Sequence, residues 1–284
     1  MNEVFVAGAS SQIGRFLLPQ LIESGYRVTA VSRRMPTEAP PAHWLQADIA
    51  HQRLNELVNA ETVVVLAPLG VLVDALSHGH MPRVRRLVAF SSTGAFTKRS
   101  STDRRDQIAA ERLLEAESAF RRQCDAHSIA STLFRPTMIY DGISDKNVAL
   151  IAGFIRRFGF FPLIGTAGGL RQPVHAADLA QACCLALENE LTFGKTYNLG
   201  GRDVLSYRDM VTQIFFALGR KPHFVPVPQA LLKAGLTCAR YLPKYRYLNA
   251  SMAERMSQDM VFDWSAATRD FGYNPRGFSP AFGS

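Results

Sequence analysis

Short apolar runs alternate with longer amphipathic segments along the first half of the chain. The runs Glu3–Ala7 and Arg27–Ser32, and the β-branched run at residues 62–66, have the length and composition of buried strands. Between the first two runs, apolar residues recur at helical spacing up to Gly25. The same pattern predicts further strands at residues 43–47, 86–91, 131–134 and 196–199, and helices at residues 53–58, 106–124 and 178–187.

Strands that alternate with helices favour right-handed βαβ units and a parallel sheet with both faces covered. Beyond residue 136 the alternation stops and connections rich in glycine and proline appear. The sequence therefore predicts an α/β fold: a Rossmann-type doubly wound parallel sheet with a small discontinuous C-terminal lobe. We expect residues 1–138 with 173–201 to form a nucleotide-binding domain, and residues 139–172 with 202–284 to form a substrate-binding lobe that closes over it.

The composition excludes several classes of protein. Hydrophobic residues make up 47% and charged residues 20% of the 284 positions, an ordinary globular balance with no linker-like stretch. The four cysteines form no CxxC pair, and no histidine cluster has zinc-ligand spacing, so neither a disulfide framework nor a metal site is predicted. No secretory signal precedes the first strand, and the longest apolar run, residues 63–75, is too short to span a bilayer. We expect a cytoplasmic protein.

The net charge of +8 raises the question of an anionic partner. The basic residues fall in short scattered groups, of which Arg83, Arg85 and Arg86 form one. Such groups favour a solvated surface, or a phosphate-bearing small molecule, over nucleic acid, because no nucleic-acid module or aromatic stacking platform accompanies them. Residues 231–248 are basic, aromatic and apolar, which fits contact with an anionic membrane surface. A lobe helix with its leucines packed inward fits the same pattern and is the preferred interpretation.

A turn with two glycines, Gly8 and Gly14, joins the first strand to the first helix. Unpaired backbone N–H groups and the helix dipole make such a turn an anion site. Gly8 permits the sharp turn, and Gly14 lets the helix pack closely against the sheet. The position of the turn, after a strand and at the start of an alternating chain, predicts that it binds the pyrophosphate of a dinucleotide.

Residues 4–21 resemble the opening of the short-chain dehydrogenase/reductase superfamily in its extended, epimerase/dehydratase-like branch, with Ser11 in place of the middle glycine of the GxxGxxG turn. Further segments resemble the branch over most of the chain: residues 48–49, 66–68, 91–94, 135–140, 172–175, 178–180 and 197–201. The resemblance implies that the cofactor is held by Gly8, Ser10, Ser11, Gln12, Ile13, Gly14, Asp48, Ile49, Ala67, Pro68, Ser91, Pro136, Thr137 and Met138.

The residues that end the second strand bear on which cofactor is bound. A carboxylate there would accept hydrogen bonds from the 2′-hydroxyl of NAD but would repel a 2′-phosphate. The chain instead has Ser32, Arg33 and Arg34. Two guanidinium groups and a hydroxyl suit the phosphate of NADP, so we expect NADP(H), with NAD as the less favoured cofactor. The alternative is that one or both arginines are ordinary surface residues.

The resemblance also implies a tyrosine that exchanges a proton with the substrate, a lysine four residues later and a Ser/Thr that orients the substrate. Thr93 fits the last role, but Asp103 and Gln107 occupy the tyrosine and lysine positions, so the dyad is absent. Asp103 would act as a base only if burial raised its pKa; a helix N-cap, provided by Asp103 or Thr102, is the preferred interpretation. Tyr140 is a candidate replacement acid or a structural tyrosine. His175 is expected to support the lobe junction rather than to transfer protons.

Two functions therefore remain open. The first is an NADP(H)-dependent epimerase/dehydratase-like or reductase-like oxidoreductase that acts on a sugar nucleotide or another phosphorylated small molecule, with arginines of the second lobe neutralising its charge. The second is a non-catalytic NADP-binding regulatory or scaffold protein, in which nucleotide binding selects one lobe arrangement. A homodimer through the long helix at residues 106–124 is compatible with either function.

Overall fold

Thirteen strands and eight α-helices are assigned in the computed structural model, which describes residues 2–37, 39–51, 57–78, 82–143, 145, 147–228, 230–231 and 254–282. The strands are β1 (Glu3–Ala7), β2 (Arg27–Ser32), β3 (His43–Gln46), β4 (Thr62–Val65), β5 (Arg86–Phe90), β6 (Ala130–Pro136), β7 (Ile139–Tyr140), β8 (Phe161–Leu163), β9 (Leu170–Arg171), β10 (Val174–His175), β11 (Lys195–Leu199), β12 (Leu205–Ser206) and β13 (Phe224–Pro226). The helices are α1 (Gly14–Glu23), α2 (Leu69–Ser77), α3 (Gly94–Thr97), α4 (Arg104–Ala126), α5 (Val148–Phe158), α6 (Ala176–Leu187), α7 (Tyr207–Ala217) and α8 (Ser265–Phe271).

Seven of these strands form one parallel sheet in the order β11-β6-β5-β4-β1-β2-β3. The strand order reverses at β1, which lies between β2 and β4, so the connections from β1 and β4 leave in opposite directions. Ligands of open α/β sheets bind in the crevice that this reversal creates at the carboxyl ends of the strands. The α/β class and the Rossmann-type doubly wound parallel sheet predicted from the sequence are confirmed.

Alternation along β1 shows how the sheet is buried on both faces. Val4 and Val6 belong to one apolar cluster with residues of α1 and α6, whereas Phe5 and Ala7 belong to a second cluster with residues of α2 and α4. Successive side chains of a strand point to opposite faces, so a strand covered on both sides must be apolar throughout. That is why the strands could be recognised as continuous apolar runs.

A third apolar cluster lies outside the sheet. It gathers residues of α5 and α7 with Tyr140 of β7, Phe161 of β8 and Phe278. Small two-stranded sheets, which pair β7 with β10, β8 with β13 and β9 with β12, surround it. The division of the chain at residues 138, 172 and 201 stays a prediction. The helix at residues 53–58 lies largely outside the described residues, as does the segment at residues 231–248 beyond Leu231.

Arg86 is buried, contrary to the expectation that it belongs to a surface group of basic residues. Its side chain is only 5% exposed, although the sequence placed it in a surface group. The guanidinium donates hydrogen bonds to the carbonyl oxygens of Ala186 (2.7 Å) and Leu187 (3.0 Å) and to the hydroxyls of Thr132 (2.8 Å) and Thr192 (2.9 Å). Burial lowers its pKa to about 10, so it stays charged at neutral pH. This arginine joins the sheet to the end of α6 and is not free to bind an anion.

Among the described residues, no helix combines the length and apolar character that crossing a bilayer requires. The same part of the chain contains no group of three or more His, Cys, Asp or Glu side chains placed to hold a metal ion.

Candidate functional site

The turn after β1 has no room for a side chain at either glycine. Gly8 has a φ of +75°, and a Cβ there would lie 2.9 Å from the backbone nitrogen of Ala67. A Cβ on Gly14 would lie 2.1 Å from the carbonyl oxygen of Ala9. Both glycines are therefore required by the path of the backbone. The turn holds β1, the start of α1 and the connection after β4 in contact at the crevice of the sheet.

Ser11 fits the position at which the resembling family has a glycine. The residues other than glycine with positive φ in the described part of the chain are Ser128 and Ala167, so Ser11 has ordinary backbone geometry. Its hydroxyl accepts a hydrogen bond from the backbone N–H of Gly14 at 3.2 Å. The substitution therefore adds a contact within the turn and does not distort it.

Polar atoms in this turn lack protein partners. The side-chain oxygen Oε1 of Gln12 is buried and accepts no hydrogen bond from the described residues. The backbone N–H groups of Gln12 and Ile13 likewise donate to no other described residue. Buried polar groups in native proteins are nearly always paired, so unpaired donors and an unpaired acceptor at one helix N-terminus indicate a ligand position. A dinucleotide, which presents phosphate oxygens along with hydroxyl and carboxamide donors, fits this set.

The end of β2 presents two uncommitted cations. Arg33 and Arg34 are exposed, and their guanidinium groups make no ion pair or hydrogen bond with another described residue. Ser32, which precedes the two arginines, is buried. Its hydroxyl lies 2.6 Å from the hydroxyl of Ser10 in the glycine turn. This hydrogen bond fixes the end of β2 against the glycine turn.

The part of the expected cofactor site around Asp48 and Ile49, which the resemblance assigns to the adenine, is less open. Asp48 uses one carboxylate oxygen to accept a hydrogen bond from the backbone N–H of Ala50 at 3.0 Å. Ile49 is 7% exposed and packs in the second apolar cluster. Ala67 follows β4 beside Gly8, and Pro68 is the N-cap residue of α2.

At the other end of the crevice, several expected cofactor residues are held by hydrogen bonds within the protein. The Ser91 hydroxyl donates to the buried carboxylate of Glu117, which also pairs with the guanidinium of Arg135. The Ser91 hydroxyl proton is therefore not free for a cofactor, and the Ser91 backbone N–H donates to the carbonyl oxygen of Phe134 at 2.7 Å. The Thr93 hydroxyl donates to the carbonyl oxygen of Pro136 at 3.1 Å.

Two further residues of this group reach the same region. The Thr137 hydroxyl donates to the carbonyl oxygen of Gln172. Thr137 and Met138 line a large cavity next to the crevice, together with Gln12 and Thr93. The structure thus brings the turn, the end of β5 and the segment after β6 to one cavity, and it places Ser32, Arg33, Arg34, Asp48 and Ile49 outside the lining of that cavity.

Asp103 and Gln107 have structural roles at the start of α4. The Asp103 carboxylate accepts a hydrogen bond from the backbone N–H of Arg105 at 2.9 Å and is the N-cap of the helix. The Gln107 side chain donates to the carbonyl oxygen of Ser101 at 2.9 Å and accepts from Arg104 at 3.2 Å. Neither residue lines the large cavity. The two residues expected at the dyad positions therefore cap a helix and hold the preceding loop.

Tyr140 of β7 and His175 of β10 pack against each other. Tyr140 is 1% exposed, its ring meets those of His175 and Phe278 edge-on at 5.0 Å, and its hydroxyl accepts from the backbone N–H of Ser279 at 3.3 Å. Burial raises the pKa of Tyr140 and lowers that of His175. The His175 Nδ1 accepts from the backbone N–H of Ala177 at 3.1 Å, capping α6. Neither residue lines the cavity, so this pair fits a structural role at the lobe junction.

The cavity itself has a volume of about 930 Å³ and lies between the crevice and the second lobe. Its lining contains cations to which the sequence analysis assigned no specific role, chiefly Lys98, Arg171 and Arg255. Arg255 pairs with the buried carboxylate of Asp106 at 3.0 Å, and Lys98 lies 3.8 Å from the same carboxylate. No motif marked this cluster, because its members are up to 157 positions apart and meet only in the folded chain.

Comparisons with known proteins agree with this architecture. Residues 4–80 match the model of the family described as NAD dependent epimerase/dehydratase family. The chain is 26% identical over 259 residues to the protein named NADH dehydrogenase [ubiquinone] 1 alpha subcomplex subunit 9, mitochondrial, of Arabidopsis thaliana; the match takes in 81% of this chain and 61% of that protein. The chain thus spans about three fifths of the length of this relative.

Solved structures resemble the chain over nearly its whole length. An epimerase from Methanothermobacter thermautotrophicus has a TM-score of 0.74 at 14% identity, covering 99% of this chain and 89% of that one. UDP-glucuronic acid 4-epimerase from Bacillus cereus, solved in complex with UDP-glucuronic acid and NAD, has a TM-score of 0.71 at 15% identity, covering 97% and 95%. At these identities the likeness concerns the fold.

Proposed function

We propose that this chain is an NADP(H)-binding protein and an atypical member of the extended short-chain dehydrogenase/reductase superfamily. In this proposal the nucleotide stays bound as a permanent part of the structure, and no tyrosine–lysine dyad uses it in catalysis. The observation that carries the proposal is a contrast within one crevice. The glycine turn presents unpaired polar groups, whereas Asp103 and Gln107, at the expected positions of the dyad, cap α4 and hold the loop before it.

Binding is supported by the fit of the residues present. Gly8 and Gly14 allow the close backbone contacts that form the turn, the N–H groups of Gln12 and Ile13 would donate to the pyrophosphate, and Gln12 Oε1 would accept from the nucleotide. The nicotinamide supplies hydride-transfer chemistry when it is bound. Preference for NADP(H) over NAD(H) is supported by the free guanidinium groups of Arg33 and Arg34, which pair well with a 2′-phosphate.

A non-catalytic role is supported by the missing acid. Tyr140 is enclosed among rings of the second lobe, and the Thr93 hydroxyl already donates to Pro136. The Arabidopsis relative is named as a subunit of a larger enzyme, which supports a role within an assembly. On this proposal, bound NADP(H) stabilises the arrangement of the two lobes that a partner recognises.

Nucleotide titration tests the binding half of the proposal. We expect nicotinamide fluorescence to report tighter binding of NADPH than of NADH. Replacing Arg33 and Arg34 with alanine should weaken NADPH binding roughly tenfold or more and leave NADH binding unchanged, since a hydrogen bond to a charged group contributes about 1.5–3 kcal/mol. Replacing Arg27 and Arg122, which are also exposed, is the matched control and should change neither. Equal loss for both nucleotides would contradict the assignment of the phosphate site.

Product analysis tests the non-catalytic half. Epimerases and dehydratases can return the hydride to the substrate, so constant nicotinamide absorbance alone does not exclude turnover. The protein loaded with NADPH or NADP⁺ is therefore incubated with UDP-glucuronic acid, UDP-glucose and dTDP-glucose, and the sugar nucleotides are separated by chromatography. We expect them unchanged. A product that is lost in a Gly14→Ala variant would overturn this half of the proposal.

The cavity favours a second candidate function. Its cationic lining would suit an anionic substrate, such as a sugar nucleotide or another phosphorylated molecule, held beside the nicotinamide. An NADP(H)-dependent epimerase/dehydratase-like or reductase-like activity would then need water, Thr93 or Lys98 to handle the proton. The product analysis above separates the two candidates.

Location and assembly stay predictions. A cytoplasmic location is the expectation from the sequence, while the Arabidopsis relative is named as mitochondrial.

Pairing of two copies through α4 would be seen as a doubled mass in light scattering. Charge reversal at Arg112 and Arg122, on the exposed face of α4, should abolish this pairing. Contact with an anionic membrane surface is tested by sedimentation with vesicles.

A further inference from the structure

The large cavity is positively charged and lacks acidic groups of its own. Of the described residues that line it, four are cations and none carries a carboxylate: Lys98, Arg157, Arg171 and Arg255. Two carboxylates act on these cations from outside the lining: Asp106 pairs with Arg255 and lies 3.8 Å from Lys98, and Asp259 acts on Arg171, so the four cations outnumber them. In a partly enclosed site this excess attracts an anion more strongly than it would in open water.

Arg171 adds a charge that is surrounded mainly by carbonyl dipoles. Its side chain donates to the carbonyl oxygens of Leu170 (2.8 Å), Gln258 (2.7 Å) and Arg255. Its guanidinium lies 5.2 Å from the centre of the Tyr207 ring. The residue is 2% exposed, and burial lowers its pKa to about 10 although Asp259 acts in the opposite direction, so the charge persists at neutral pH. A ligand anion in the cavity would add to the stabilisation that Asp259 gives this charge.

Part of the cavity wall is aromatic. Phe154 of α5 meets Phe158 at 4.6 Å, Phe160 at 5.7 Å and Phe161 at 5.8 Å between ring centres, and all four line the cavity. Phe158 is 52% exposed. The guanidinium of Arg157 lies 5.4 Å from the centre of the Phe158 ring, so this cation belongs to the aromatic part of the wall. The cavity thus combines three cations outside α5 with a phenylalanine cluster at α5 and just after it.

The phenylalanine cluster offers no polar side-chain atom to the hydroxyl groups of a sugar. Of the three amide side chains in the lining, Asn147 donates to the carbonyl oxygen of Ile139 and Gln172 accepts from the backbone N–H of Phe262, while Gln12 is the residue assigned to the nucleotide. Hydroxyls that lose water without gaining partners are unfavourable in a site of this kind. An alkyl chain along the four phenylalanines loses nothing on leaving water.

We propose that this cavity binds a single-chain lipid with an anionic head group, a phosphate or a carboxylate, with the head between Lys98, Arg171 and Arg255 and the chain along Phe154 and Phe158. The proposal goes beyond nucleotide binding and does not require it. It gives the second lobe a ligand of its own, which is an acidic amphiphile rather than a sugar nucleotide.

Calorimetric titration with alkyl phosphates, each below its micelle concentration, tests the proposal on the full chain. We expect dodecyl phosphate to bind with 1:1 stoichiometry, and octyl, decyl and dodecyl phosphate to bind in rising order, on the order of tenfold for each two methylenes at most. Laurate should also bind. Inorganic phosphate, which lacks the chain, and dodecyl maltoside, which lacks the charge, should each bind at least tenfold more weakly than dodecyl phosphate.

Matched variants locate the ligand within the cavity. Phe158→Ser should weaken dodecyl phosphate binding at least fivefold, whereas Phe216→Ser, at a phenylalanine that is 63% exposed outside the cavity, should leave it unchanged. Lys98→Gln should weaken binding of dodecyl phosphate and leave the chain-length trend intact, with Arg122→Gln on the exposed face of α4 as its control. Thermal unfolding of each variant confirms that it is folded.

Three results would overturn the proposal: UDP-glucose binding more tightly than dodecyl phosphate, affinity independent of chain length, or equal losses in Phe158→Ser and Phe216→Ser. Binding only to anionic vesicles and not to monomeric dodecyl phosphate would assign the charge to a membrane surface and overturn it as well. All titrations are repeated with saturating NADPH, so a failure of lipid binding is distinguishable from a failure of nucleotide binding.

Discussion

At the scale of single residues, Gly14 and Gly153 differ in what surrounds the absent side chain. A Cβ on Gly14 would meet the Ala9 carbonyl at 2.1 Å, whereas nothing lies within 4 Å of a Cβ on Gly153 in α5. We expect Gly14→Ala to destabilise the fold by about 1–3 kcal/mol, the usual cost of overpacking, and to abolish NADPH binding. Gly153→Ala should stabilise by roughly 0.5–1 kcal/mol. Urea unfolding and nucleotide fluorescence measure both, and equal effects would contradict the tight approach at Gly14.

Glu117 is the second residue whose replacement should be costly. Its carboxylate is 5% exposed and pairs with Arg135 while accepting from Ser91. Glu117→Gln leaves the Arg135 charge without its partner, which typically costs about 3–5 kcal/mol for a buried pair. Because Arg135 is 19% exposed, we expect the lower end of that range. The same change at the exposed Glu115 of α4 should alter the unfolding free energy by less than about 0.5 kcal/mol.

Individual residues also show how far the sequence could predict the site. Gly8 and Gly14 were recognisable because a turn between a strand and a helix has local backbone requirements. The partner of Ser91 was not recognisable, because Glu117 lies 26 positions away and reaches it only once α4 packs against the sheet. The burial of Arg86 and Arg171 was not recognisable either, since a buried arginine is identified by carbonyl groups that come from distant segments.

At the scale of elements, the start of α4 depends on its cap. Asp103→Ala removes the acceptor for the Arg105 N–H and should cost about 1 kcal/mol, whereas Asp103→Ser should preserve most of the stability. Because Asp103 lies outside the cavity lining, both variants should bind NADPH as the parent does. Loss of nucleotide binding or of any measured activity in Asp103→Ser would instead indicate a chemical role.

The cap of α6 should make the fold sensitive to acid. Burial lowers the pKa of His175 below its ordinary value of 6.5, and its Nδ1 must be unprotonated to accept from Ala177. The unfolded chain takes up this proton near pH 6.5 and the folded chain only at lower pH, so stability is lost as the pH falls through 6.5.

Replacing the histidine tests this directly. His175→Asn retains a capping acceptor and should flatten the pH dependence of the unfolding free energy between about pH 6.5 and 5. His51→Asn, at an exposed histidine, should leave the dependence intact. An unchanged slope in His175→Asn would assign the acid sensitivity to another group.

The strands and helices of the sheet were largely predictable, because each strand is apolar on both faces and each covering helix has one apolar side. β1 and β2 begin and end where the apolar runs do, and α4 extends two residues beyond the expected helix at each end. The second lobe was harder to divide into elements. Its strands are two or three residues long and are held by partners from distant parts of the chain, so they leave no periodic pattern.

At the scale of the whole molecule, nucleotide binding should be linked to global stability. A ligand that binds only the folded state stabilises it by about 2.7 kcal/mol when its free concentration is one hundred times its dissociation constant. We expect NADPH at that concentration to raise the unfolding free energy by this amount without changing the urea dependence. The Arg33 and Arg34 double variant, with an affinity about tenfold lower, should gain only about 1.4 kcal/mol at the same NADPH concentration. An equal gain in both proteins would place the stabilising site elsewhere.

The segment after α8 joins parts of the molecule that are far apart in the sequence. Phe271 and Tyr273 pack in the same cluster as β1, the Tyr273 hydroxyl donates to the carbonyl oxygen of Gly200, and Arg276 pairs with Asp178 at 2.7 Å. A ribosome makes β1 first and Tyr273 some 270 residues later. The core around β1 therefore stays incomplete, with part of its apolar surface exposed, until Tyr273 has been translated. During that interval the exposed apolar surface can be bound by chaperones.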